Sequence, residues 1–97
     1  MSESLATRSV VVTDPAGVHL RSALAIIQTV GRGKSNVTIA KGEQRVEATE
    51  IWQIMGLVAQ QGDELTVVAT GPDAVAVLDS LEPLFAGQFG DEAKKSE

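Results

Sequence analysis

The stretch from Asn36 to Ala48 constrains this chain of 97 residues more than any other. In Asn36–Lys41 (NVTIAK) Val37 and Ile39 fall on one face of an extended strand. In Gln44–Ala48 (QRVEA) Val46 and Ala48 do the same, and Gly42-Glu43 between the two fits a two-residue hairpin turn. A hairpin with one apolar face is not stable alone in water and must be covered. The remaining segments supply the cover. Thr7–Thr13 (TRSVVVT), with three consecutive valines, and Asp63–Thr70 (DELTVVAT), alternating Leu65, Val67 and Ala69, read as further strands. Leu20, Ala23, Leu24, Ile27 and Val30 recur at helical spacing, and Gly31-Arg32-Gly33-Lys34 stops that helix. Thr49 and Glu50 open a second helix, with Ile51, Ile54, Met55 and Val58 as its stripe and Gly62 as its close. After the Gly71-Pro72-Asp73 turn and cap, Ala74, Val77, Leu78, Leu81 and Phe85 form the third stripe. Pro83 predicts a kink or stop near Leu81–Glu82, since an interior proline costs about 3 kcal/mol.

The element order is therefore β-α-β-β-α-β-α, with no repeat and no linker. One stripe per helix and alternation in the strands predict an α+β domain. An antiparallel sheet carries the helices on one face and meets solvent on the other. Two strand orders fit this string, one of them ferredoxin-like, and the pattern does not choose between them. A single domain over residues 1–97 is expected, ordered from about residue 6 to 90, with a frayed polar tail from Gly87 onward.

Composition narrows the chemistry. There is no cysteine, which excludes thiol catalysis and disulfides, and the single histidine leaves no basis for a histidine-rich zinc site. No metal and no cofactor are expected. A net charge of −5 argues against nucleic acid and anionic membranes as partners. Met1–Ala6 has no apolar signal core and no apolar run spans a bilayer, so a cytoplasmic location without membrane insertion is the expectation.

The one histidine, His19, lies between the Asp14-Pro15-Ala16-Gly17 turn and the start of the first helix, with Arg21 beside it. A helix start has unpaired backbone N–H groups and a partial positive charge, so with an arginine it suits phosphate or another anion. A neutral imidazole there could itself carry a phosphoryl group. Arg21 supports the same reading, because the helix dipole disfavours a cation in the first turn unless an anion is near. Trp52 falls off the second helix's apolar stripe and is a candidate interface anchor. Asp14, Glu50 and Asp73 read as turn and cap residues.

Four stretches resemble the HPr family, the histidine-containing phosphocarrier proteins of the bacterial phosphotransferase system. They are Gly17-Val18-His19-Leu20-Arg21 after Asp14-Pro15, Ile54-Met55-Gly56-Leu57, Gly62-Asp63-Glu64-Leu65-Thr66-Val67, and Leu84-Phe85 with Gln88-Phe89-Gly90. The resemblance implies an open-faced sandwich of a four-stranded antiparallel sheet with three helices on one face. It implies that His19 takes a phosphoryl group on Nδ1 from phosphorylated enzyme I, itself charged by phosphoenolpyruvate, and passes it to the EIIA component of a sugar permease. Arg21 would stabilise the phosphoryl group, and Leu20, Ser22, Ile51, Trp52 and Met55, with Leu57 a weaker candidate, would dock partners. Such a chain is a monomeric phosphoryl-transfer intermediate, not an enzyme.

Four positions depart from the family pattern. Ser22 stands where proline or alanine is frequent. Glu50 stands where some members carry a regulatory serine, so phosphorylation is impossible there, and one carboxylate poorly imitates a dianionic phosphate. Gln28 and Gln53 replace common lysines. Two alternatives go with these departures. One is a regulatory HPr-like protein that signals to a kinase or transcription factor without sugar transport. The other is a small anion-binding α+β module.

Overall fold

The computed structural model describes residues 4–88. It contains strands β1 (Ser4–Val11), β2 (Asn36–Lys41), β3 (Gln44–Glu47) and β4 (Glu64–Gly71), and helices α1 (Leu20–Arg32), α2 (Ile51–Gly56) and α3 (Ala74–Leu81). A short 3-10 helix, Glu82–Ala86, follows α3 directly. The four strands form one antiparallel sheet in the order β1-β4-β2-β3, which settles the question the pattern left open. The fold is the expected open-faced sandwich. Val10, Val37, Ile39, Val46, Leu65, Val67 and Ala69 point from the sheet into one core with Ile26, Ile54, Leu78, Leu81 and Phe85. The opposite face is mixed, with Ser9 paired to Thr66 and Thr7 to Val68, and with Leu5 and Val11 exposed.

The third helix follows the pattern closely: Ala74, Val77, Leu78 and Leu81 are buried, and the helix gives way to the 3-10 turn with Pro83 in its first positions. Four expectations need correction. β1 starts at Ser4 instead of Thr7, because its ladder to β4 runs from Ser4↔Gly71 to Val11↔Glu64 whatever the side chains. It ends before Thr13, whose N–H turns away to the Phe85 carbonyl at 3.1 Å.

The apolar face of α1 is rotated from the one expected. Ser22, Ala23, Ile26 and Val30 are buried, while Leu20 and Leu24 are about half exposed. Helix α2 closes at Gly56, not Gly62. After it Leu57 is buried and Val58 turns outward, at a φ of +50° that only this non-glycine residue adopts among those described. Lys41 fixes this bend, its ammonium donating to the Leu57 and Val58 carbonyls at 3.3 and 2.9 Å and pairing with Asp63 at 3.0 Å. Asp73 is the N-cap of α3, its carbonyl accepting the Val77 N–H at 3.0 Å, but its side chain makes no cap bond. Its carboxylate accepts from the Lys34 N–H at 3.0 Å and from the Ser35 hydroxyl, tying the α1–β2 loop to α3. Among the described residues no helix is long and apolar enough to cross a membrane. The expected tail and the Phe89-Gly90 part of the resemblance fall outside the described residues.

Candidate functional site

The loop from Asp14 to His19 is built from the bottom by turn chemistry. Gly17 N–H donates to the Asp14 carbonyl at 2.9 Å, closing a four-residue turn with Pro15 in its second place. The Asp14 side chain reinforces it by accepting the Ala16 N–H on Oδ1 at 2.9 Å, an Asx turn. Gly17 is required, since its φ is +71° and a Cβ there would lie 2.6 Å from the Ala59 carbonyl oxygen. The loop rests on the segment after α2, and Val18 N–H donates to that same carbonyl at 2.9 Å. On the other side the N–H groups of Thr13 and Asp14 reach the Phe85 carbonyl. Gly87 then closes over the carboxylate, and a Cβ on it would meet Asp14 Oδ2 at 2.7 Å. Two stretches distant in sequence, at Ala59 and at Phe85 with Gly87, therefore hold one short loop.

His19 is the N-cap of the 13-residue α1. A reciprocal box locks it there: Ser22 Oγ accepts the His19 N–H at 2.9 Å, and the His19 side chain faces the Ser22 N–H. The Ser22 hydroxyl also donates to the His19 carbonyl at 3.0 Å. The first intrahelical bond runs from Ala23 N–H to the His19 carbonyl at 2.8 Å, which places Leu20 and Arg21 in the first turn of the helix. Arg21 is exposed in this first turn, where α1 has no acidic residue.

The His19 ring is one-third exposed, and its Nε2 lies 3.1 Å from Asp14 Oδ2, whose side chain is 14% exposed. The Ala16 N–H, and then the His19 contact, hold the Asp14 carboxyl below the usual carboxylate range, against its partial burial. An ionised carboxylate only accepts hydrogen bonds, so this contact is a hydrogen bond when Nε2 carries a proton. Sequence reasoning had given Asp14 a turn role alone. The turn role is real, but the spacing that places an aspartate five residues before the sole histidine, across a tight turn, also brings the two side chains together.

A family model for the PTS HPr component phosphorylation site matches residues 6–87. The phosphocarrier protein HPr of Treponema pallidum (strain Nichols) is 38% identical over 88 residues, covering 91% of this chain and all of that protein. The chain belongs to the HPr family. It is a phosphocarrier protein of the phosphotransferase system. Its fold superposes on the crystal structure of HPr-C-His from Thermoanaerobacter tengcongensis with a TM-score of 0.80, at 27% identity over 88% of this chain and 96% of that one. It is also 32% identical, over 93% of its length, to the phosphoryl donor subunit DhaM of the PEP-dependent dihydroxyacetone kinase of Providencia stuartii (strain MRSN 2154). There it spans 19% of the larger protein.

The remaining candidates in this HPr-family chain divide sharply. Leu20 is half exposed at the helix start, and Leu24 continues the same flank one turn on. Helix α1 packs beside α2, which carries Trp52, 78% exposed, with Ile51 and Met55 half-buried against the core. Ser22 is not a docking residue. It is 1% exposed and spends its hydroxyl on the His19 backbone, which explains a serine where the helix start needs a cap. Leu57 likewise belongs to the core. Gln53 turns its side-chain oxygen to the Glu47 N–H at 3.2 Å, bridging β3 and α2. Glu50 is the N-cap of α2, exposed, with no side-chain cap bond.

Proposed function

We propose that His19 is the phosphoryl acceptor of this phosphocarrier, through Nδ1, with phosphorylated enzyme I as donor and the EIIA component of a sugar permease as recipient. The observation that supports this most is the His19 ring held at the open N-terminus of α1 with Asp14 on Nε2. The Nδ1 lone pair forms a bond to phosphorus as the donor's bond to phosphorus breaks, its electron pair staying with the donor. The phosphoryl oxygens meet the Leu20 and Arg21 N–H groups and the Arg21 guanidinium, charge-assisted donors at the positive end of the helix. In the onward step the N–P bond breaks and its electrons return to Nδ1.

The site is shallow, which suits a carrier that must release its cargo. The exposed flank of Leu20 and Leu24 with Ile51, Trp52 and Met55 is the docking surface both partners share in turn, so the chain works as a cytoplasmic monomer. It does not turn over a small molecule by itself. Its likeness to a dihydroxyacetone kinase's phosphoryl donor subunit favours a second recipient, a component of such a kinase, reached through the same His19.

The test is intact mass after incubation with phosphoenolpyruvate and active enzyme I, on wild type and His19→Ala. Wild type gains one acid-labile phosphoryl group and the variant gains none. No gain on wild type, with enzyme I shown to charge itself, overturns the carrier assignment of His19. Adding EIIA or the kinase component to the charged protein then shows which one discharges it.

A further inference from the structure

We infer that Asp14 is a positioning residue for phosphoryl transfer: it fixes the His19 tautomer so that the nucleophilic lone pair lies on Nδ1. This rests on the reading of His19 as the acceptor and extends it to a second residue. The two carboxylate oxygens have separate duties. Oδ1 is committed to the Ala16 N–H at 2.9 Å, and Oδ2 to His19 Nε2 at 3.1 Å. The carboxylate itself cannot drift, because the Asp14 backbone is bonded to the Phe85 carbonyl and Gly87 closes against Oδ2. Both oxygens accept, so the proton on Nε2 is the only arrangement in which every donor at this corner has an acceptor. When Nδ1 forms its bond to phosphorus, Nε2 keeps that proton, and the positive charge on the ring stands opposite the Asp14 carboxylate. When the N–P bond breaks in onward transfer, the ring departs as neutral imidazole with its proton still in place. The aspartate acts through the imidazole in both directions and touches no phosphoryl atom.

This division of duties makes an unusual prediction about substitutions. In Asp14→Asn the amide oxygen must face the Ala16 N–H, because an amide NH2 there would set donor against donor. The amide nitrogen then faces His19 Nε2 and donates to it, which drives the ring proton to Nδ1 and occupies the nucleophile. In a serine protease the corresponding isosteric change is known to damage catalysis through the wrong tautomer. Asp14→Ala removes the carboxylate and leaves the tautomer to the Ser22 N–H that faces the His19 side chain, a weaker bias towards the same lone pair that admits some of the other tautomer. The closer mimic is therefore the worse carrier.

The experiment reads nitrogen-15 shifts of the His19 ring at a pH where it is neutral, together with initial rates of phosphorylation by enzyme I and phosphoenolpyruvate. Wild type, Asp14→Asn and Asp14→Ala are compared in the full chain, with amide spectra checking the fold. Expected are Nε2–H in wild type, Nδ1–H in Asp14→Asn with a rate lower by about a hundredfold or more, and a mixed signal in Asp14→Ala with a loss of about tenfold. A purely structural role for Asp14 gives the reverse order, because asparagine preserves the turn and alanine does not. Nε2–H retained in Asp14→Asn, or Asp14→Asn phosphorylated as fast as Asp14→Ala, overturns the inference. If Asp14→Ala fails to fold, Asp14→Asn against wild type still decides. If wild type itself takes no phosphoryl group, the acceptor reading fails, and the ring shifts alone decide whether Asp14 sets the tautomer.

Discussion

Ser22 shows how a single hydroxyl can be mistaken for part of a surface. Its Oγ accepts the His19 N–H and donates to the His19 carbonyl, so it holds the backbone of the candidate acceptor from beneath while 1% exposed. Ser22→Ala leaves the His19 N–H without its cap acceptor, and the loss of an N-terminal cap is expected to cost about 1 kcal/mol in urea unfolding. An unchanged midpoint would show that the box carries no stability. At this scale the sequence singled out His19 and Arg21 as candidates, because a sole histidine and an arginine at a helix start are unusual enough to be noticed. It did not disclose the second role of Asp14 or the inward turn of Ser22. Aspartate and serine are the ordinary residues of turns and caps, and nothing in their identity tells which further atom their oxygens will meet.

The helices were legible in proportion to how fully their apolar residues serve the core. Every apolar residue of α3 serves the core, so its spacing and its burial agree. In α1 the spacing included Leu20 and Leu24, which are exposed, and passed over Ser22 and Ile26, which are buried. An apolar residue kept for a partner looks the same, in a sequence, as one kept for the core. Helix α2 was misjudged at its end, where the chain bends through Val58 with no glycine to mark the bend. A β-branched residue in the left-handed region is strained by roughly 1–2 kcal/mol, and Val58 is 59% exposed, so its side chain offsets little of that. Val58→Gly is therefore expected to stabilise the domain by about 0.5 kcal/mol or more, after allowance for the greater freedom of glycine in the unfolded chain. Thermal and urea unfolding of the variant check this, and a lower midpoint would show that the exposed valine packs better than its accessibility suggests.

At the scale of the whole molecule three aspartates act as tethers between segments: Asp14 at the histidine loop, Asp63 beside Lys41, and Asp73 between α3 and the α1–β2 loop. Each is held below its ordinary value of 3.8, chiefly by backbone donors at Ala16 and Gln60 for the first two and by the Ser35 hydroxyl for the third. A carboxyl whose folded pKa is depressed takes up its proton sooner in the unfolded chain. Its contribution is thus complete above the ordinary value and drains away as pH falls through the folded one. Stability is expected to be level from neutrality to about pH 5 and to fall below pH 4, read as the urea midpoint against pH. A midpoint that stays level to pH 3 would mean the three carboxyls bind protons equally in the folded and unfolded chain, so the tethers contribute nothing. Element order was visible in the sequence, whereas the strand order was not, because pairing partners are chosen by distance along the chain and packing, not by local pattern. That order has a consequence in time. β1 has no strand to lie against until β4 is made, and the His19 loop leans on residues as late as Phe85 and Gly87. A chain still emerging from the ribosome displays its histidine long before the residues that seat it, so the loop gains its support in one late step.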